Sequence, residues 1–95
     1  MHGLRSIVID EILAYAKEYG LKRVILFGSR ARGDYKQRSD IDLAVEGGNV
    51  AAFTFDVDEN TTTLLMFDVV NLADPIAPEL RESINKEGIV LYEKV

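Results

Sequence analysis

Asp40 and Asp42, separated by a single residue, stand just beyond the pair Gly28-Ser29, with ten residues between Ser29 and Asp40. On extended backbone two such carboxylates point to the same side, their Cα atoms about 6.6 Å apart. Held that close they repel unless a cation sits between them. With no cysteine and a single histidine, His2, in the chain, the hard oxygen donors favour Mg²⁺, or Mn²⁺, over zinc. Magnesium takes one or two protein carboxylates and completes its octahedron with water and phosphate oxygens. A phosphate-binding element is therefore expected nearby, and Gly28-Ser29 has the right chemistry. The glycine lets backbone approach an anion, and Ser29 can cap a short helix through Ala31 whose free N–H groups face it. Arg30, Arg32, Lys36 and Arg38 lie between the two elements. One of Arg30 and Arg32 is expected to face the pocket and add charge to the phosphate grip, Arg32 being the expected one.

Asp68 is the third carboxylate of interest. It sits in Leu64-Leu65-Met66-Phe67-Asp68-Val69-Val70, where an ionised side chain among apolar neighbours is costly to desolvate. If its strand lies beside the Asp40-Asp42 strand, the three carboxylates could share two metal ions roughly 3.5–4 Å apart. Asp68 would then take the proton of an acceptor hydroxyl, which attacks the α-phosphate in line as pyrophosphate leaves.

These residues need elements to hold them. Leu4, Val8, Ile12, Tyr15 and Tyr19 recur at helical spacing, and Gly20 stops that helix. Val24 to Phe27 reads as a short buried strand, with Gly28 as a tight turn. In Asp40 to Val45, Ile41, Leu43 and Val45 share one face and Asp40, Asp42 and Ala44 the other; Gly47-Gly48 ends the strand. Residues 49–63 read as a short helix and a loop, because Thr61-Thr62-Thr63 disfavours helix. Leu64 to Leu72 is a third strand with Met66, Asp68 and Val70 on one face. Pro78 opens a last helix carrying Leu80 and Ile84, closed by Gly88, and Ile89 to Tyr92 forms the final strand. The order predicts one α/β (α+β) domain over residues 1–95, a small mixed sheet flanked by helices.

Composition bounds the function. Ninety-five residues, 47% hydrophobic and 28% charged, suit a single small domain that is marginal alone and can lean on a partner. No apolar run approaches a membrane span. The N-terminus lacks the pattern of a signal peptide, and the absence of cysteine accords with a cytoplasmic setting. The net charge is −5, yet residues 22–38 hold six basic side chains against Asp34 alone, a local charge of +5 that leaves −10 for the rest. An acidic chain is a poor general binder of nucleic acid; a compact basic patch suits a small polyphosphate better.

Other patterns fail on inspection. Asp56-Val57-Asp58-Glu59-Asn60 resembles the start of a calcium loop, but its sixth position is Thr61 and its twelfth Phe67. Ser83-Ile84-Asn85-Lys86 matches a serine–lysine pattern with no other part of such a site. Gly28 and Gly33 make neither a dinucleotide fingerprint nor a Walker loop. His2 is expected to be exposed.

Together, Phe27-Gly28-Ser29-Arg30-Ala31-Arg32-Gly33, Ser39-Asp40-Ile41-Asp42-Leu43-Ala44-Val45 and Phe67-Asp68-Val69-Val70 resemble the minimal nucleotidyltransferases of the DNA-polymerase-beta-like superfamily. The resemblance spans about the whole chain and implies that superfamily's mixed sheet flanked by helices. It implies that Gly28 and Ser29 bind nucleotide phosphates and that Asp40, Asp42 and Asp68 ligate magnesium. Many minimal members are antitoxins that transfer AMP from ATP to a tyrosine of a helical HEPN ribonuclease toxin, so the expected partner is such a toxin, and the expected assembly a homodimer or a hetero-oligomer. Two alternatives stay open: an antitoxin that only masks its toxin, and nucleotidyl transfer to a small molecule such as an aminoglycoside. The shortness of the 95 residues is expected to count against the latter, whose enzymes use an added acceptor domain.

Overall fold

A computed structural model describes residues 3–94; His2 therefore lies outside the described residues. Eight elements follow in the order α1 Ser6–Glu18, β1 Arg23–Phe27, α2 Ser29–Arg32, β2 Ile41–Glu46, α3 Val50–Glu59, β3 Phe67–Asn71, α4 Pro78–Glu87 and β4 Ile89–Glu93. The strands form one sheet in the order β3-β2-β1-β4. β1 runs antiparallel to both β2 and β4, whereas β2 and β3 are parallel. Parallel neighbours need a crossover, and α3 supplies it. The sheet is thus mixed, as the alternation of helical and extended periodicities predicts.

The alternation along β2 divides the core in two. Ile41, Leu43 and Val45 join Val24 and Leu26 of β1 beneath Val8, Ile12 and Ala16 of α1 and Phe53 and Val57 of α3. On the other face Ala44 packs with Ile25 and Phe27 under Ile84 of α4. Buried on both faces, β1 and β2 are the rigid centre. At about 25 cal/mol per Å² of apolar surface removed from water, these two layers dominate the stability of so small a chain.

Helix boundaries have local causes. Asn49 caps α3 by accepting from the Ala52 amide at 3.1 Å. The helix ends before Thr61-Thr62-Thr63, where the Thr61 hydroxyl donates to the Val57 carbonyl at 2.7 Å and Thr62 donates to the Glu11 carboxylate from its amide and hydroxyl. Pro78 opens α4, as its fixed φ and missing N–H predict. Asp56, read above as a failed calcium ligand, lies in α3; it accepts from the Tyr19 hydroxyl and, at 2.7 Å, from the Asn60 amide. That hydrogen bond from Tyr19 holds the Asp56 carboxyl below the usual carboxylate range, and it joins α1 to α3.

Two expectations about the elements are corrected. The third strand begins at Phe67, not Leu64, because β2 offers no partner before Ile41, whose amide donates to the Met66 carbonyl at 2.9 Å. Asp40 lies just before β2, which starts at Ile41.

Candidate active site

The site lies where β1, β2 and β3 end together. In register, Asp42 faces Phe27 of β1 on one side and Asp68 of β3 on the other. Register partners in neighbouring strands send their side chains to the same face of the sheet, so Asp42 and Asp68 are neighbours by construction. Asp40, two residues before Asp42, adds its charge from the loop side. Burial first, then the Asp68 and Asp40 charges, push the Asp42 carboxyl above its usual range, against a smaller lowering by Arg32. Desolvation disfavours a carboxylate, and like charges disfavour it further.

The Gly28 turn closes one wall. Its backbone holds φ 74° and ψ −155°, a region that essentially only glycine occupies. A Cβ at Gly28 would collide with the Asp42 carboxylate. Sequence reasoning made Ser29 the cap of the short helix; instead Gly28 is the capping position, with no side-chain cap, and Ser29 is the first helical residue. Ser29 is half-buried beside the turn.

The two arginines part company. Arg30, only 2% exposed, turns inward. Its guanidinium donates to the Ser39 carbonyl at 2.9 and 3.1 Å and to the Gln37 carbonyl at 3.2 Å, and lies 5.0 Å from the centre of the Tyr35 ring. The helix that follows the phosphate turn is thereby bolted to the peptide that precedes Asp40. Arg30 is the positioning residue that sequence reasoning passed over. Arg32 faces outward, paired with Asp34 and with Glu87 of α4, each at 3.3 Å.

Asp68 departs from expectation in one respect. It is exposed, because β3 is an edge strand and its apolar neighbours turn away from it. The desolvation cost argued from its sequence neighbours therefore falls on Asp42 instead, which is half-buried. Among the described residues no three His, Asp or Glu side chains are gathered into a ready-made cation site. Like-charged carboxylates spread apart in the absence of a cation, and magnesium keeps water and phosphate oxygens among its ligands rather than demanding an all-protein cage. The donor set, three carboxylates with the central one pushed toward its acid form by burial and by its neighbours, fits a hard divalent ion. Another concavity, about 570 Å³ and lined by Lys22, Arg23, Glu46 and Glu93, lies at the opposite end of β1 and β2 and contains none of these groups.

Among the described residues no helix is long and apolar enough to cross a membrane. Comparisons with known proteins give the geometry a family. The family model "Polymerase beta, Nucleotidyltransferase" matches residues 10–95. A Methanocaldococcus jannaschii protein named "Putative protein adenylyltransferase" is 38% identical over 81 residues, covering 76% of this chain and 79% of that one. A solved structure described as a "putative minimal nucleotidyltransferase" superposes with a TM-score of 0.66 at 30% identity, over 85% of this chain and 86% of that one. A toxin–antitoxin structure with AMP-PNP shares the fold, with a TM-score of 0.69 at 22% identity over 90% of this chain and 73% of that chain. The chain belongs to the polymerase beta nucleotidyltransferase family, as an enzyme of its minimal nucleotidyltransferase kind.

Proposed function

We propose that this nucleotidyltransferase moves AMP from ATP to a tyrosine hydroxyl of a partner protein, a HEPN-type toxin that the transfer silences. The observation that carries the reading is the register pair Asp42–Asp68 set against the Gly28 turn. It sets the carboxylate pair directly against a side-chain-free backbone turn, the combination expected of a metal-bound phosphate site. The name of the Methanocaldococcus jannaschii relative, a protein adenylyltransferase, favours a protein acceptor. The toxin–antitoxin structure with AMP-PNP concerns a protein of the same fold and supports both the partner class and the nucleotide.

In this reading the Gly28 and Ser29 amides hold the triphosphate, and Arg32 draws its charge toward the outer phosphates. Asp40, Asp42 and Asp68 would hold two magnesium ions, which when bound neutralise phosphate charge and acidify the acceptor hydroxyl. Asp68, exposed at the edge strand, meets the acceptor and takes its proton. The tyrosine oxygen forms a bond to the α-phosphorus, the bond from that phosphorus to the bridging oxygen breaks, and pyrophosphate departs with the electron pair.

The test incubates the chain with α-labelled ATP, magnesium and the candidate toxin. Wild type is expected to label the toxin, and Asp40→Asn to lose at least about a hundredfold in rate. Asp68→Asn should abolish transfer while sparing ATP binding. An unlabelled toxin, with wild type and Asp40→Asn indistinguishable, overturns the reading. Neutralisation of the toxin by Asp42→Asn as strong as wild type would instead establish simple masking.

A further inference from the structure

Leu64 and Met66 are large apolar side chains left 100% and 63% exposed, immediately before the strand that carries Asp68. Isolated exposed apolar residues need no explanation; these two share a site. They line a groove of about 460 Å³ with Leu65 and Arg38. The alternation is the informative part. Leu65 packs against the core, while Leu64, Met66 and Asp68 are all exposed.

The segment is tied at both ends. Its start is tied by Thr62, whose amide and hydroxyl bond the Glu11 carboxylate of α1. Its end is tied by the Met66 carbonyl, which accepts from Ile41, the residue between Asp40 and Asp42. β3 is the edge of the sheet, so among the described residues no further strand covers this side. Ordering an apolar shelf against water, next to a reaction centre, is the arrangement of an anchor pocket rather than of a core.

Charge selects the occupant. Of the four basic side chains between Ser29 and Asp40, Arg30 is buried and Arg32 is paired with Asp34 and Glu87. Lys36 and Arg38 are exposed, and among the described residues neither has a carboxylate within ion-pair distance. Of the described residues that line the groove, Arg38 alone is charged, a cation on a chain whose net charge is −5.

We infer that the Leu64–Met66 shelf with Arg38 is the docking surface for the acceptor protein, and that it takes a segment with an aliphatic or aromatic anchor beside an acidic residue. The inference rests on the protein-adenylyltransferase reading and adds the recognition chemistry to it. The anchor fills the groove, the acidic residue meets Arg38, and the acceptor hydroxyl is delivered to the neighbouring Asp68.

Two synthetic dodecapeptides test it, both with a central tyrosine flanked by leucines, one carrying two glutamates and the other two lysines in their place. Peptide binding is followed by fluorescence anisotropy and AMP transfer by label. Wild type should bind and label the glutamate peptide at least about tenfold better than the lysine peptide. Leu64→Ser combined with Met66→Ser should lower kcat/KM for that peptide about tenfold, with the KM for ATP unchanged. Arg38→Glu should reverse the preference. Equal use of both peptides, no binding of either, or a loss traced to the KM for ATP would overturn the docking surface. Binding that depends on Leu64, Met66 and Arg38 without any transfer would uphold the surface and sink the transferase reading, so the two failures are told apart.

Discussion

The guanidinium of Arg30 donates twice to the carbonyl of Ser39, the peptide that hands the chain to Asp40. This one buried cation joins the phosphate turn to the carboxylate pair. It thereby ties together two segments that lie about ten residues apart in sequence. Arg30→Met would leave the part-buried Ser39 and Gln37 carbonyls short of a donor and bury an apolar chain against them. The expected loss is about 2–3 kcal/mol of stability, seen as a thermal midpoint lower by roughly 10 °C or more. Arg30→Lys should recover only part of it, since an ammonium cannot reproduce the planar fork. A midpoint within error of wild type for Arg30→Met would mean the loop holds itself.

Gly28 is required on two counts, its backbone conformation and the space it leaves for Asp42. Gly28→Ala is expected to cost about 1–3 kcal/mol from the backbone alone. The new methyl would also displace the Asp42 carboxylate, so ATP binding should fall well beyond what the stability loss accounts for. Calorimetric titration with ATP and magnesium, run below the variant's midpoint, separates the two effects.

The raised carboxyl of Asp42 has a signature in pH. Its acid form is favoured in the folded chain by burial and by Asp68 and Asp40. Relative to the unfolded chain, its contribution is whole below the ordinary value of 3.8. It is lost as pH rises through the elevated folded value. Asp42→Asn removes that loss. Without magnesium, the variant should melt a few degrees above wild type at pH 7, roughly 2–4 °C. At pH 3 the advantage should vanish. Adding magnesium at pH 7 should raise wild type and leave Asp42→Asn nearly unmoved. An equal gain at both pH values would assign the effect to packing instead of charge.

Much of this was legible in the sequence because strand β2 is buried on both faces and alternates cleanly. Ile41, Leu43 and Val45 fix its orientation, so Asp42 had to face the other way. The exposure of Asp68 was not legible. Its apolar neighbours are the same whether a strand is central or at an edge, and only the sheet order settles which. The start of β3 was hidden for a related reason: Leu64 and Met66 continue its alternation, but a strand ends where its partner does. The roles of Arg30 and Arg32 were half legible. Two residues apart in one helical turn are about 200° apart around the axis, so one must turn in when the other turns out. Nothing in the spacing says which.

Arg32 is the outward member of that pair, held by Asp34 and by Glu87 of α4. Those side chains raise its already high pKa, so it remains a cation throughout the working range. Exposed ion pairs of this kind contribute little to stability; their effect is to restrain where the guanidinium points. Arg32→Ala should therefore melt close to wild type yet bind ATP about tenfold more weakly, through loss of a charge-assisted contact to phosphate. Glu87→Gln acts in the opposite direction. Releasing one of the two restraints leaves Arg32 freer to swing toward the triphosphate, and ATP affinity should rise about two- to threefold at low ionic strength. The gain should shrink at high salt, where the restraint is screened in wild type as well. If Glu87→Gln weakens ATP binding instead, the Arg32–Glu87 pair orients the guanidinium for phosphate rather than diverting it.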